Sequence, residues 1–306
     1  MGIVAELKEL IGVGDIHDEV TPAQLGQWAD EYAASVKDSL LRQFVNKEKD
    51  DDRVLRLSSI GKPAVLQALN IPSVRESLMN LGLWDTEPIS LKMREILHRG
   101  DQFEAFLMFH LRRLGFSIRS TQETVTFMGV EGHTDAIIEK GGSELLLEVK
   151  TMSDAYFRKF VKEQDDERGY LTQLALYSHC TGLPAVWVCL NKGSHEIAIV
   201  EPNPDALATA KARAERIIPI FSKVEYFEDV ITYFKAPPTV SEVYQKKKTG
   251  RELLNPSMKY SAYRNLFYHI FEEKNGYGKP TEYVADYVTP EDLRDELRRP
   301  NDFINF

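Results

Sequence analysis

Cysteine is scarce. Cys180 and Cys189 are the only two in 306 residues, too few for a disulfide framework or a four-thiolate cluster, and they point to a reducing, cytoplasmic setting. No apolar run approaches the ~18 residues a membrane span needs. The opening MGIVAELKELIG lacks the layout of a signal peptide. Neither an internal repeat nor a low-complexity tract is visible. Positive charge is also short, with 38 Lys and Arg against 47 Asp and Glu for a net charge of −9. That excludes a protein coated in basic surface, although a local groove of Lys and Arg would suffice to hold phosphates. What is present is globular composition, 43% hydrophobic and 28% charged, in a chain long enough to bury a real core.

Residues 1–56 read as a helical region. TPAQLGQWADEYAASVKDSLLRQFV starts at a Thr N-cap with Pro22 in the first helical position, and KEKDDDR (47–53) reads as a solvated link. A turn and short helix follow in LSSIGKPAVLQALNIP (57–72), then a stronger helix from Ile89 to Leu114, ended by Gly115. Strand grammar takes over in Phe116–Thr121, Thr124–Met128, Thr134–Glu139, Leu145–Lys150, Ala185–Leu190 and Glu196–Val200. The helix GYLTQLALYSHC separates the fourth from the fifth, and another spans Asp205 to Ile217. From Pro237 the tail reads as helical and aromatic, with Tyr260, Arg264, Phe267 and Phe271 at helical spacing. The fold class is α/β (α+β), a central mixed sheet flanked by helices. Residues 57–235 form the core and 236–306 a helical C-terminal extension.

The stretch 131-EGHTDAIIEKGGSELLLEVKT-151 carries acids where a strand pattern expects solvent or oil. Gly141-Gly142 suits a two-residue hairpin turn that needs φ > 0 at both positions. That turn pairs Lys140 with Ser143, sets Asp135 opposite Glu148 at a closely spaced, non-hydrogen-bonded pair, and sets His133 opposite Lys150. Facing like charges destabilise a sheet unless one is protonated or a cation sits between them. Oxygen ligands at this spacing suit Mg²⁺ or Mn²⁺. Alternation places Leu145, Leu147 and Val149 on one face, with Glu148 and Lys150 on the other. The plain alternative is an exposed hairpin with solvated charges.

Glu104 is the one charge on the helical stripe Leu97, Gly100, Glu104, Met108, Leu111. A carboxylate there needs a partner, either a metal or its water, or one of Arg112 and Arg113. In YLTQLALY (170–177), Gln173 and Tyr177 stand at i and i+4 and project from one face. They either face the acids or belong to an ordinary half-buried helix.

Taken together, these residues resemble the PD-(D/E)xK nuclease superfamily, in particular its RecB-like and phage-exonuclease branch. The resemblance rests on G-x-x-x-E (Gly100, Glu104), G-x-x-D (Gly132, Asp135), E-x-K (Glu148-Val149-Lys150) and Q-x-x-x-Y (Gln173, Tyr177). AVWVCLNKGSHEIAIV resembles the branch's closing hairpin, and LSSIGKP (57–63) a short motif of some phage members. It covers about residues 57–200, with Thr134-Asp135 standing where the family has Pro-Asp. It implies a restriction-endonuclease-like core and a Mg²⁺-dependent deoxyribonuclease in which Mn²⁺ substitutes. Asp135, Glu148 and the Val149 carbonyl would hold the metal, and Glu104 would reach it directly or through water. Lys150 would orient or deprotonate the attacking water, and Gln173 and Tyr177 would position Lys150 or the scissile strand. Ser58, Ser59, Lys62 and Arg99 would contact DNA. The iron–sulphur subtype is excluded, because it needs four cysteines.

The reading is an exonuclease of recombination, repair or phage DNA metabolism. Its partners would be DNA and a single-strand annealing or recombination protein, with a homo-oligomer allowed and no membrane. A restriction-type or structure-specific endonuclease and a catalytically silent DNA-binding module are the alternatives. QKKKTGR (245–251), the most basic run, is either a solvated loop or a further DNA contact.

Overall fold

The computed structural model describes residues 2–13, 20–45, 55–83, 90–164, 168–255, 258, 261 and 263–288. KEKDDDR (47–53), Ile89 and Tyr260 lie outside them. The chain opens with α1 (Ile3–Val13) and α2 (Pro22–Leu40). The start of α2 follows its capping box. Thr21 Oγ1 accepts from the Gln24 N–H at 3.3 Å, and the Gln24 side chain accepts from the Thr21 N–H at 2.9 Å. A π-helical turn (Leu41–Val45), a 3₁₀ turn (Leu57–Ser59), α3 (Ala64–Ala68), α4 (Pro72–Asn80) and α5 (Leu91–Arg113) come next.

Then follow β1 (Ser117–Thr121), β2 (Thr124–Phe127), β3 (Val130–His133), β4 (Ala136–Lys140) and β5 (Ser143–Met152). Helices α6 (Asp154–Glu163) and α7 (Tyr170–Thr181) cross over to β6 (Ala185–Asn191) and β7 (Ile197–Val200), before α8 (Pro204–Phe221) and α9 (Phe227–Tyr233). The last strands are β8 (Val240–Tyr244), β9 (Lys247–Leu253), β10 (Tyr268–Lys274) and β11 (Pro280–Tyr287).

Two compact units result. One takes Met1–Asp52, Arg56–Ser58 and Pro88–Glu215, the other Arg53–Leu55, Ser59–Glu87 and Arg216–Phe306. The N-terminal helices thus share a unit with the central sheet.

The first unit is built on a five-stranded mixed sheet in the order β1-β4-β5-β6-β7. β5 and β6 are parallel, and the other neighbours are antiparallel. Strand β6 is buried at nearly every position, as an apolar strand covered on both faces should be. On one face Leu7 of α1 and Leu107, Met108 and Leu111 of α5 pack against Ala136, Ile138, Leu145, Leu147, Val186 and Val188. On the other, Phe160 of α6 stands edge-on to Trp187 at 5.0 Å.

The Gly141-Gly142 turn has φ of 59° and 77°, and the ladder runs from Lys140↔Ser143 to Ala136↔Leu147 in the expected register. It stops there. His133 is not opposite Lys150, because β3 leaves the sheet to pair with β2, with His133 against Thr124. The Thr134 N–H goes to the Glu123 carbonyl at 3.0 Å, which draws the chain away from β5 before the pairing can reach residue 133.

The second unit corrects the expectation of a helical C-terminal extension. Residues 240–287 form a four-stranded antiparallel sheet in the order β10-β11-β9-β8. Arg264 lies in a short 3₁₀ turn and Phe271 within β10, so their helical spacing with Phe267 is coincidental. Two features hid the hairpins. The β8–β9 turn uses Gln245 and Lys246 at φ of 49° and 64°, a left-handed pair normally marked by Asn or Gly. The β10–β11 turn is held by Asn275, whose Oδ1 accepts from the N–H groups of Tyr277 and Lys279 at 2.9 and 3.0 Å.

Gly132 is the glycine the first unit cannot replace. A Cβ there would stand 2.7 Å from Tyr177 Cε1, 2.8 Å from its hydroxyl and 2.9 Å from Leu57 Cβ. Tyr177 is 1% exposed and Leu57 fully buried, so neither can yield cheaply. Gly132→Ala is expected to cost about 1–3 kcal/mol, the usual penalty of overpacking, in chemical denaturation. Trimming the ring with Tyr177→Ala in the same chain should relieve the clash, so that Gly132→Ala costs clearly less there than in the wild type.

Candidate active site

Strand β5 sets the site. Beyond Ala136↔Leu147 the next N–H that looks for an acceptor across the ladder belongs to Val149, and the Asp135 carboxylate supplies it through Oδ2 at 2.7 Å. Asp135 therefore sits at the mouth of β4 with one oxygen committed to the neighbouring strand. Glu148 is fully buried. Its Oε2 accepts from the Lys150 ammonium at 2.8 Å, and its Oε1 has no hydrogen-bond partner. Leu145, Leu147 and Val149 face the α1/α5 side, so alternation turns Glu148 and Lys150 to the other. This side of β5 is covered, which rules out the exposed hairpin with solvated charges.

A buried carboxylate with an empty acceptor is costly unless something satisfies it. Burial pushes Glu148 up to about 8, against the pull of Lys150 beside it. Burial also works against the charge on Lys150, but the Glu148 and Asp135 carboxylates outweigh it and hold the ammonium above its usual range. The ammonium also lies 5.2 Å from the centre of the Tyr170 ring, a contact that no sequence pattern signals.

Glu104 reaches the same place from α5. It is half-buried, and burial together with Asp135 raises its pKa to about 7. Neither expected arginine is its partner. Arg112 pairs with Glu31 and Arg113 with His110, while Glu104 Oε1 accepts from Gln122 Nε2 at 3.1 Å. Gln122 occupies the β1–β2 turn at φ 54°, a conformation few non-glycine residues adopt. The apolar stripe holds at Met108 and Leu111 but not at Leu97, which is 41% exposed.

Gln173 and Tyr177 come to the acids from behind. Both are buried, and Tyr177 is hydrogen-bonded to Gln173. Burial and the nearby Glu148 push the phenol up to about 12. At 1% exposure Tyr177 cannot touch a substrate. It packs on Gly132 and backs the carboxylates, so it is a positioning residue.

Arg99 is exposed on α5. With Arg168 it lies close enough to lower the pKa of Lys192, after burial as the main cause. Arg168 was not singled out in the sequence, and Lys192 only as part of the Asn191-Lys192 turn of the closing hairpin. Lys192 follows Asn191, whose side chain organises its turn by accepting from the N–H groups of Gly193 and Ser194 and donating to Asp154. Ser58 is half-buried and belongs to the same unit. Ser59 and Lys62 belong to the other, where the Lys62 N–H donates to the Ser59 carbonyl at 2.9 Å.

Beside Glu104 a cavity of about 550 Å³ opens along α2 and α5, with Trp28, Tyr32 and Arg42 on its wall. Ser39, His98 and Asp101 meet at its edge but form no nucleophilic triad. The Ser39 hydroxyl donates to Asp101 Oδ2 at 2.7 Å, which leaves His98 Nδ1, 2.8 Å away, to donate to Ser39 rather than to deprotonate it.

The groups that gather here are oxygen donors, the orphaned Glu148 Oε1 with the Asp135 carboxylate close by, which is the chemistry a hard divalent cation uses. Among the described residues, no three His, Cys, Asp or Glu side chains gather closely enough to hold a metal by themselves. A metal here would therefore rest on two carboxylates and complete its shell with backbone oxygen or water. Glu104 stands further out.

No protein-family model and no curated protein matches the chain. Among solved structures it is similar to an alkaline exonuclease, LHK-Exo, from Laribacter hongkongensis. The identity is 15%, the TM-score 0.34, and the match covers 54% of this chain and 90% of the other. It is also similar to LHK-Exo in complex with dAMP, at 16% identity and a TM-score of 0.38, over 58% of this chain and 93% of the other. Likeness this distant carries no inference about activity or substrate.

The raised pKa of Glu104 fixes the sign of a pH effect. The folded state binds this proton more tightly than the unfolded one, so its penalty is absent below pH 4.5, grows as pH rises, and is complete above about 7. Glu104→Gln should therefore match the wild type in melting temperature near pH 4 and exceed it at pH 8, without added metal. A difference of the opposite sign at pH 8 would mean that Glu104 is stabilised as a carboxylate.

Proposed function

We propose that the protein is a divalent-metal-dependent deoxyribonuclease, acting as an exonuclease in DNA recombination or repair. The observation that carries this reading is the fully buried Glu148, whose one oxygen is bound to Lys150 and the other to nothing, with Asp135 beside it and Glu104 next to Asp135. A stable fold has no use for such a group, whereas phosphodiester hydrolysis does.

Asp135, Glu148 and the Val149 carbonyl would hold Mg²⁺ or Mn²⁺. When bound, the ion lowers the pKa of its water and neutralises charge on the reacting phosphate. The chain's own residues do the positioning. Asp135 fixes the end of β4 to β5 through the Val149 N–H, so the two acids keep their spacing. Lys150, held charged by its neighbours, donates from Nζ and suits orienting the attacking water or a phosphate oxygen better than removing a proton. Tyr177 and Gln173 support the carboxylates from within the core. Glu104, with a pKa near neutrality, can hold or release a proton at the edge of the site or help place a second ion. Arg99, Arg168 and Lys192 supply the positive potential that a phosphate backbone requires in an acidic protein.

Linear and covalently closed duplex DNA with Mg²⁺ form the direct test. Cleavage of the linear substrate alone supports the exonuclease, cleavage of both the endonuclease, and cleavage of neither under Mg²⁺ or Mn²⁺ overturns the proposal. Glu148→Ala and Asp135→Ala should abolish cleavage while DNA binding persists. Lys150→Ala should slow single-turnover cleavage roughly 10²–10³-fold, the range for losing one positioned donor to developing charge, and normal rates in that variant would remove Lys150 from the chemistry.

A further inference from the structure

The second unit carries a surface that the cleavage site does not use. Lys246, Lys247 and Lys248 occupy the tip of the β8–β9 hairpin, and Lys274 and Lys279 flank the tip of β10–β11. All five are exposed. Among the described residues no carboxylate pairs with any of them. Of the two acids nearest in the chain, Glu272 and Glu273, the second is already held by Arg251 at 3.0 Å. In a chain of net charge −9 this is a concentrated positive patch.

The two tips are locked together. Tyr244, paired with Lys247 in the ladder, lays its ring against Gly276, where a Cβ would meet it at 2.5 Å. It also stands edge-on to Tyr277 at 4.9 Å and 76°. Arg251 adds a bond to the Lys274 carbonyl at 3.2 Å. Tyr277 is left 72% exposed, a ring fixed from one side and open on the other. The turn itself points the same way. Gln245 and Lys246 hold left-handed backbone that Asn-Gly would adopt at lower cost, so a cation sits at a position where stability alone would favour glycine.

We propose that these paired hairpin tips are a second, non-catalytic nucleic-acid contact, which binds a single DNA strand by its phosphates with a base stacked on Tyr277. Lysines that track phosphates beside an open aromatic ring are the arrangement single strands require, and every base offers a face to stack. The contact lies within the second unit and does not depend on the cleavage reading.

The test measures binding of a fluorescent oligothymidylate to the full chain without divalent metal, over a range of salt. Lys246→Gly combined with Lys247→Gln and Lys248→Gln keeps or improves the turn while it removes three charges. It should weaken binding and lower the slope of log affinity against log salt by about 2, from ~0.7 per lost phosphate contact. Tyr277→Ala should weaken binding about tenfold with little change of slope, the stacking contribution of one base. Unchanged melting temperatures in both variants exclude unfolding as the cause. Wild-type affinity and slope in both variants would overturn the proposal, as would an equal loss for a polyglutamate probe carrying no bases. Binding is read without divalent metal and cleavage with it, and neither variant alters a residue of the cleavage site, so failure of the nuclease reading and failure of this one are read separately.

Discussion

One buried carboxylate organises the first unit. Glu148 lies at the centre of a mixed sheet, beside Trp187 in the parallel ladder with β6, where an ion is expensive and a half-satisfied ion more so. Three parts of the structure answer to it. Lys150, two residues on, brings a counter-charge from the same strand face. Asp135 ends its own strand and lends an oxygen to the next N–H of β5. Tyr177 and Gln173 fill the space behind, with Gly132 leaving room for the ring. None of these groups has much freedom, because each is fixed by packing or by a backbone bond, and rigidity of this kind is what a pre-organised site needs.

Much of this was legible in the sequence because a strand has a period of two and a tight turn fixes its register. Gly141-Gly142 and the alternation from Leu145 to Lys150 were sufficient to place Asp135 and Glu148 together and to separate them from the leucines. What could not be read was where the ladder ends. That depends on Glu123 and Thr124 capturing Thr134 and His133, and no local pattern announces a partner ten residues away. Glu104 was singled out for being charged on an apolar stripe, but its partner Gln122 sits in a left-handed turn position that sequence pattern does not reveal. Tyr170 reaches Lys150 from the crossover, and Arg99, Arg168 and Lys192 come together from a helix, the crossover and the closing hairpin, a convergence that is a property of the fold alone.

The misread tail has an equally physical cause. Tyr260, Arg264, Phe267 and Phe271 satisfy a helical spacing, but aromatic residues favour strands as readily. The deciding signals were turns built from unusual residues. Gln245-Lys246 carries no glycine, and Asn275 acts through its side chain rather than through an Asn-Gly pair.

The single parallel pair in the sheet has a consequence for how the protein comes into being. β4 and β5 can close as a local hairpin as soon as residue 152 is free, but β5 gains its other neighbour only after two helices and β6 have followed. Contacts of large sequence separation form late, because their loop entropy must be met first. A growing chain therefore exposes its acids to water, at ordinary carboxylate acidity, and desolvates them only when the crossover docks. The strand that holds the chemistry is complete early, and the environment that makes it chemically unusual arrives last.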